Sequence, residues 1–97
     1  VADVPFHPEA KAEYAEAWAW YWERSSRAAE RFEAEVERVL ARIAENPEAF
    51  PHCDDEHQYS LLRRFPYSVV YQVVPEGVFI VAVAHSSRAP GYWEDRT

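Results

Sequence analysis

LLRRFPYSVVYQVVPEGVFIVAVAHSSRAPGYW, running from Leu61 to Trp93, holds consecutive strand-like runs and a polar, aromatic tail. Tyr67 to Val74 is rich in Val and Tyr, and Val78 to Ala84 is almost wholly apolar. Between them stand Pro75, Glu76 and Gly77, a short turn with its glycine where a positive φ is needed, so the pair reads as a β-hairpin. Leu61 to Phe65 precedes it as a further strand, which Pro66 ends by denying one ladder hydrogen bond. Strict alternation puts Val69, Tyr71 and Val73 on one face of the hairpin and Ser68, Val70, Gln72 and Val74 on the other. In its second strand, Phe79, Val81 and Val83 oppose Ile80, Ala82 and Ala84. Both faces are therefore apolar. One packs on helices of the same chain, and the other needs cover from a tail, another subunit or a partner protein.

Upstream of the sheet the pattern changes to a helical period. Val1 to Phe6 reads as a short edge strand, confined to an edge by Pro5. Pro8 suits the first position of a helix, where its missing N–H is harmless, and Glu9 suits the positive end of the helix dipole. From Glu9 to Arg24, Ala10, Tyr14, Ala17, Trp18, Tyr21 and Trp22 recur at helical steps as a core-facing stripe. Trp20 lies off that stripe and reads either as an interface residue or as a half-buried structural one. Ser25 and Ser26 break the pattern, and either can cap the next helix. In that helix, Arg27 to Glu45, one face carries Ala29, Phe32, Val36, Val39, Leu40 and Ile43, and Asn46 with Pro47 ends it. The short link makes the two helices an antiparallel hairpin. Gln58 to Phe65 then begins the sheet. The predicted order is β-α-α-β-β-β, an α+β fold with a helix hairpin packed on a mostly antiparallel sheet.

Ninety-seven residues make one domain, 1–97. The net charge of −7 disfavours direct nucleic-acid binding, which is driven by phosphate neutralisation. Arg63, Arg64, Arg88 and Arg96 are the candidates for a local basic patch. No run approaches the roughly 20 apolar residues of a membrane span, and nothing reads as an export signal, although a start at Val1 is compatible with a removed leader. Cys53 is alone, which excludes an internal disulfide and fits a reducing cytoplasm. Residues 46–57 form the one real loop, with Phe50 plugging the core edge. Its His52, Cys53, Asp54, Asp55, Glu56 and His57 lack the spacing of any metal motif and read as a solvated acidic loop. No cofactor or metal is expected.

The tail HSSRAPGYWEDRT is where polar and aromatic groups gather. Metal-free RNA cleavage needs a base, an acid and cations for the phosphate. His85 or Tyr92 can exchange protons, Arg64 or Arg88 can hold a phosphate bidentately, and Trp93 can stack on a base. The structural alternatives are equally concrete: His85 hydrogen-bonds the tail, Arg88 pairs with an acidic helix residue, and Tyr92 with Trp93 packs on the sheet. A Ser-His-Asp site on Ser86 or Ser87 lacks its nucleophile elbow.

Four motifs together resemble the ParE/RelE toxin superfamily. They are F-x-P-x-A at Phe6, Pro8 and Ala10, N-P after the second helix, RRFPYSVVY at Arg63 to Tyr71, and V-A-H-x-x-R-x-P-x-Y-W at Val83 to Trp93. The likeness spans nearly the whole chain and is nearest the ParE-like, plasmid stabilisation branch. It implies the β-α-α-β-β-β fold and a toxin of a type II toxin–antitoxin pair, neutralised by a co-encoded antitoxin whose C-terminal segment wraps the helices and sheet. RelE-like members cleave mRNA on the ribosome with sheet-borne Lys and Arg and a C-terminal Tyr. Here Ser68 occupies the position basic in those ribonucleases, only Arg88 remains of the basic run after the last strand, and Tyr92 matches the Tyr. The chain is more similar to ParE proteins, which inhibit DNA gyrase by protein contact and are not enzymes. The expected partners are thus an antitoxin, gyrase, and a homodimer or toxin–antitoxin hetero-oligomer, with Trp20, Trp93 and Arg96 as partner-binding candidates. A RelE-type endoribonuclease and a non-toxic antitoxin-binding module are the alternatives.

Overall fold

The computed structural model describes residues 4–96. Two helices, α1 (Pro8–Arg24) and α2 (Ser26–Glu45), are followed by a 3-10 turn at Pro47–Ala49 and three strands, β1 (Gln58–Leu61), β2 (Tyr67–Val74) and β3 (Gly77–His85). The strands form one antiparallel sheet in the order β1-β2-β3. Of the predicted N-terminal edge strand, residues 1–3 lie outside the described region. What is described of it is a single parallel bridge, Phe6 to Ile80, flanked by backbone hydrogen bonds between Ile80 and both Pro5 and His7.

Local chemistry accounts for the helix ends. Pro8 opens α1 and the His7 imidazole accepts the Glu9 N–H at 3.1 Å. The link between helices is shorter than Ser-Ser: Ser25 alone ends α1 through its N–H on Tyr21 and caps α2 through its Oγ on the Ala28 N–H. The buried face of α2 is the predicted one, Ala29, Phe32, Val36, Val39, Leu40 and Ile43. In α1 only Ala10 and Ala17 are fully buried, with Tyr14, Trp18 and Tyr21 packed at the margin of the core. Trp22 departs from the predicted stripe: it is 49% exposed and stacked on Trp18 at 5.1 Å. The reason is geometric, because each four-residue step advances about 40° around a helix, so the row from Ala10 has rotated off the core by Trp22.

The sheet departs from strict alternation in two places. The predicted first strand stops at Leu61, not Phe65, because residues 62–66 turn. Leu62 N–H bonds the Tyr67 carbonyl, Glu35 on α2 accepts the Arg63 N–H at 2.6 Å, and Arg64 takes a left-handed φ of 67°. In β3 the register slips at Val81: Val70 faces Ala82 while Tyr71 faces Ile80. The extra residue is a β-bulge, and it places Ile80 and Val83 on the same, helix-facing side. The predicted face of Phe79, Val81 and Val83 is therefore split. The opposite face, Val70, Ala82 and Ala84, is covered by Tyr59 and by the chain's own tail through Tyr92 and Trp93.

The hairpin turn is as its sequence requires. Val74 pairs with Gly77 across Pro75 and Glu76, and Gly77 has φ +135°. In the loop, Phe50 packs edge-on to Tyr71 at the core margin. The Tyr71 hydroxyl and the Gln58 amide both donate to the Pro47 carbonyl, tying the N-P turn to the sheet. Asp54 accepts the Glu56 and His57 N–H groups and holds the His57 ring.

Candidate functional site

Glu13 is the centre of the tail's geometry. It sits one turn between Ala10 and Ala17, on the side of α1 that faces β3, with its side chain 14% exposed. Its Oε1 accepts the Val83 N–H at 2.9 Å and Arg96 Nη1 at 3.0 Å; its Oε2 accepts Arg96 Nη2 at 2.9 Å and the Tyr92 hydroxyl at 2.8 Å. The Arg96 Nη1 also donates to the Val81 carbonyl at 3.1 Å. The bulge makes this possible, since it points the Val81 carbonyl and Val83 N–H out of the free edge of β3. One ion pair thus satisfies an exposed sheet edge and fastens the tail to α1.

Electrostatics follow from that packing. Burial by itself raises the Glu13 pKa, but the hydrogen bonds from Arg96, Tyr92 and Val83 outweigh it and hold the carboxyl below its ordinary range. Burial, and then the bond to ionised Glu13, push the Tyr92 phenol well above its ordinary value. Arg88 lies over the Tyr92 ring at 3.8 Å and approaches Glu13 at 3.8 Å, its side chain half exposed.

The structure brings His85, Arg88, Tyr92 and Trp93 together around a small cavity of about 230 Å³, which Cys53, Tyr59 and Ser68 also line. His85 Nδ1 accepts the Ser87 N–H at 3.0 Å, and its ring stands edge-on to Tyr67. The Trp93 indole Nε1 is shielded and meets no acceptor among the described residues. Arg96 is buried and is committed within the chain to Glu13. Arg64 lines neither this cavity nor the neighbouring groove. It lies on another surface with Arg31, Arg38 and Arg63.

On the other side of His85 and Arg88 runs a second groove of about 380 Å³, walled by Glu13, Glu16, Trp20, Tyr21 and Tyr67. Trp20 is 50% exposed, with the Arg24 guanidinium 3.5 Å above its ring. Trp22 and the Trp18 it stacks on lie on the opposite flank of α1, about 160–200° around the helix from Trp20, where Trp18 donates to Glu33 of α2. Sequence reasoning missed Glu13. Its signal was present, because the spacing of residues 10, 13 and 17 puts a carboxylate on a buried stripe, where a charge needs a partner.

Residues 4–90 match the family described as ParE toxin of type II toxin–antitoxin system, parDE. The chain belongs to the ParE toxin family. Membership makes it the toxin of a type II toxin–antitoxin pair and gives it an antitoxin protein as partner. No curated protein matches the chain. The match ends at Pro90, so the ParE-family span holds Glu13, His85 and Arg88, whereas Tyr92, Trp93 and Arg96 lie beyond it. No helix among the described residues is long and apolar enough to cross a membrane.

Proposed function

We propose that this ParE-family toxin acts in the cytoplasm by protein–protein contact, with DNA gyrase as its target, and that its antitoxin neutralises it by covering α1 and the adjoining groove. The observation that carries the reading is the commitment of Tyr92 and Arg96 to Glu13. An RNA-cleaving site needs a proton donor and cations free to meet a phosphate. Here the phenol hydrogen bonds a carboxylate, and one arginine is neutralised by that same carboxylate. What the chain leaves open is two half-exposed indoles on opposite flanks of α1, Trp20 at the groove and Trp22 beyond Trp18, a residue type that anchors protein interfaces.

A second reading, a RelE-type endoribonuclease, draws on one observation: His85 and half-exposed Arg88 share a cavity with Tyr92. Pulse induction without antitoxin separates the two. Gyrase poisoning is expected to stop DNA synthesis first, with broken chromosomes. Early failure of protein synthesis with cut mRNA, abolished by His85→Ala, overturns the binding reading. If both syntheses continue in cells that hold abundant folded protein, the chain is an inert antitoxin-binding module.

A further inference from the structure

On the face of α2 away from the tail, an open depression of about 640 Å³ is ringed by four arginines, Arg31 and Arg38 from α2 with Arg63 and Arg64 from the turn between β1 and β2. The whole chain has nine arginines and a net charge of −7, so this is a local reversal of sign. The one carboxylate in the depression is Glu35, and its oxygens are occupied: both accept from Arg38 at 2.8 Å, and Oε2 also accepts the Arg63 N–H. Among the described residues no carboxylate lies within the 4.0 Å ion-pair distance of Arg31, Arg63 or Arg64, and all three are exposed.

Arg64 adds an independent observation. Its φ of 67° is the one left-handed backbone among the described non-glycine residues. A glycine would adopt that conformation without steric cost, so an arginine there lowers stability, and such strain is tolerated where the side chain is used. The turn is held rigidly in this shape by Glu35 on the Arg63 N–H and by Phe65, which packs on Tyr21 and Phe32 at 5.1 and 5.4 Å. The guanidinium groups are therefore presented on a fixed support.

We infer that Arg31, Arg63 and Arg64 form a docking site for a carboxylate-rich segment of a protein partner. Charge complementarity selects the occupant. A polynucleotide carries closely spaced phosphates along its whole length, and beyond this patch it would meet a chain of net charge −7. A short acidic peptide needs only the patch, where each guanidinium can take a carboxylate in a two-point contact. Phe65 touches Tyr21, which walls the groove beside Trp20, so a peptide can set apolar side chains there while its acidic residues meet the arginines.

The inference deepens the protein-binding reading of the toxin and rests on it, but its test does not depend on toxicity. Purified full chain is titrated against fluorescein-labelled hexaglutamate, with a labelled serine hexapeptide and a thymidine hexanucleotide as controls, and binding is read by anisotropy at low salt. Expected is binding of hexaglutamate over both controls, weakened about tenfold or more by Arg31→Ala combined with Arg64→Gly. Arg64→Gly alone is expected to weaken binding while leaving the melting temperature equal or higher, which a structural role for that side chain does not allow. No binding of hexaglutamate, equal binding by the double variant, or tighter binding of the hexanucleotide each overturns the assignment.

Discussion

At Glu13 one carboxylate accepts four hydrogen bonds, from Val83, Tyr92 and both Nη atoms of Arg96. Arg96 is 9% exposed and Glu13 14%, so neither charge is well solvated, and removing one leaves the other buried without compensation. Glu13→Gln is expected to destabilise the fold by about 2–3 kcal/mol in urea unfolding. That lies below the full cost of breaking a buried pair because the amide oxygen still accepts one bond. A loss under ~0.5 kcal/mol would mean that the clasp contributes nothing net. This residue also marks a boundary of sequence reading. The spacing of 10, 13 and 17 puts Glu13 among buried alanines, whereas its partner lies 83 positions away at Arg96, and nothing local in ProGlyTyrTrpGluAspArg selects that arginine over Arg88. His85 and Arg88 were legible as neighbours in the tail. Arg64 was not placeable, since which surface it joins depends on how far the preceding turn rotates.

At the scale of elements, helix and hairpin boundaries followed from local chemistry. Pro8, Ser25 and the Asn46-Pro47 pair end helices for reasons intrinsic to the residues, and Gly77 carries the positive φ of the hairpin. An added Cβ at Gly77 meets no atom within 4 Å, so the cost of Gly77→Ala is backbone strain alone. We expect a loss of about 1–2 kcal/mol, measured by thermal unfolding, with the β2–β3 register intact by NMR. The bulge at Val81 had no such mark. In VFIVAVA every residue suits a strand, and the slip is set by the β3 edge meeting Glu13 and the tail, which are remote in sequence. Likewise Leu62 to Phe65 reads as strand by composition, but a carboxylate from α2 captures the Arg63 N–H and turns the chain.

At the scale of the whole molecule, the two ends of the pH range are governed by different groups. Glu35, through the Arg38 hydrogen bonds that outweigh its burial, and Glu13 are both held below their ordinary 4.5. The unfolded chain therefore binds more protons than the folded one below that pH. Their contribution to stability is complete above 4.5 and disappears as the pH falls through the folded values. Tyr14 and Tyr71 are pushed up to about 12, by burial first and then by nearby acidic groups, so their contribution is complete below 10.0 and is lost as the pH rises towards 12. Urea midpoints across pH are expected to show a plateau between these limits, with an acid limb that Glu35→Gln makes shallower. The two half-exposed indoles of α1 set a separate expectation. Trp20→Ser with Trp22→Ser should cost about 1–2 kcal/mol per site, because each ring is half buried, and leave the chain folded by circular dichroism, yet weaken antitoxin capture in a pull-down. Unchanged capture would move the antitoxin elsewhere. Finally, the one-residue link at Ser25 leaves the helix pair no slack in length. One inserted residue would change the direction in which α2 leaves the extended Ser25 and unseat Phe32 and Val36 from the core. Relatives of this chain should therefore vary in length through residues 46–57, and a tag or reporter inserted there should be accepted where one at Ser25 is refused.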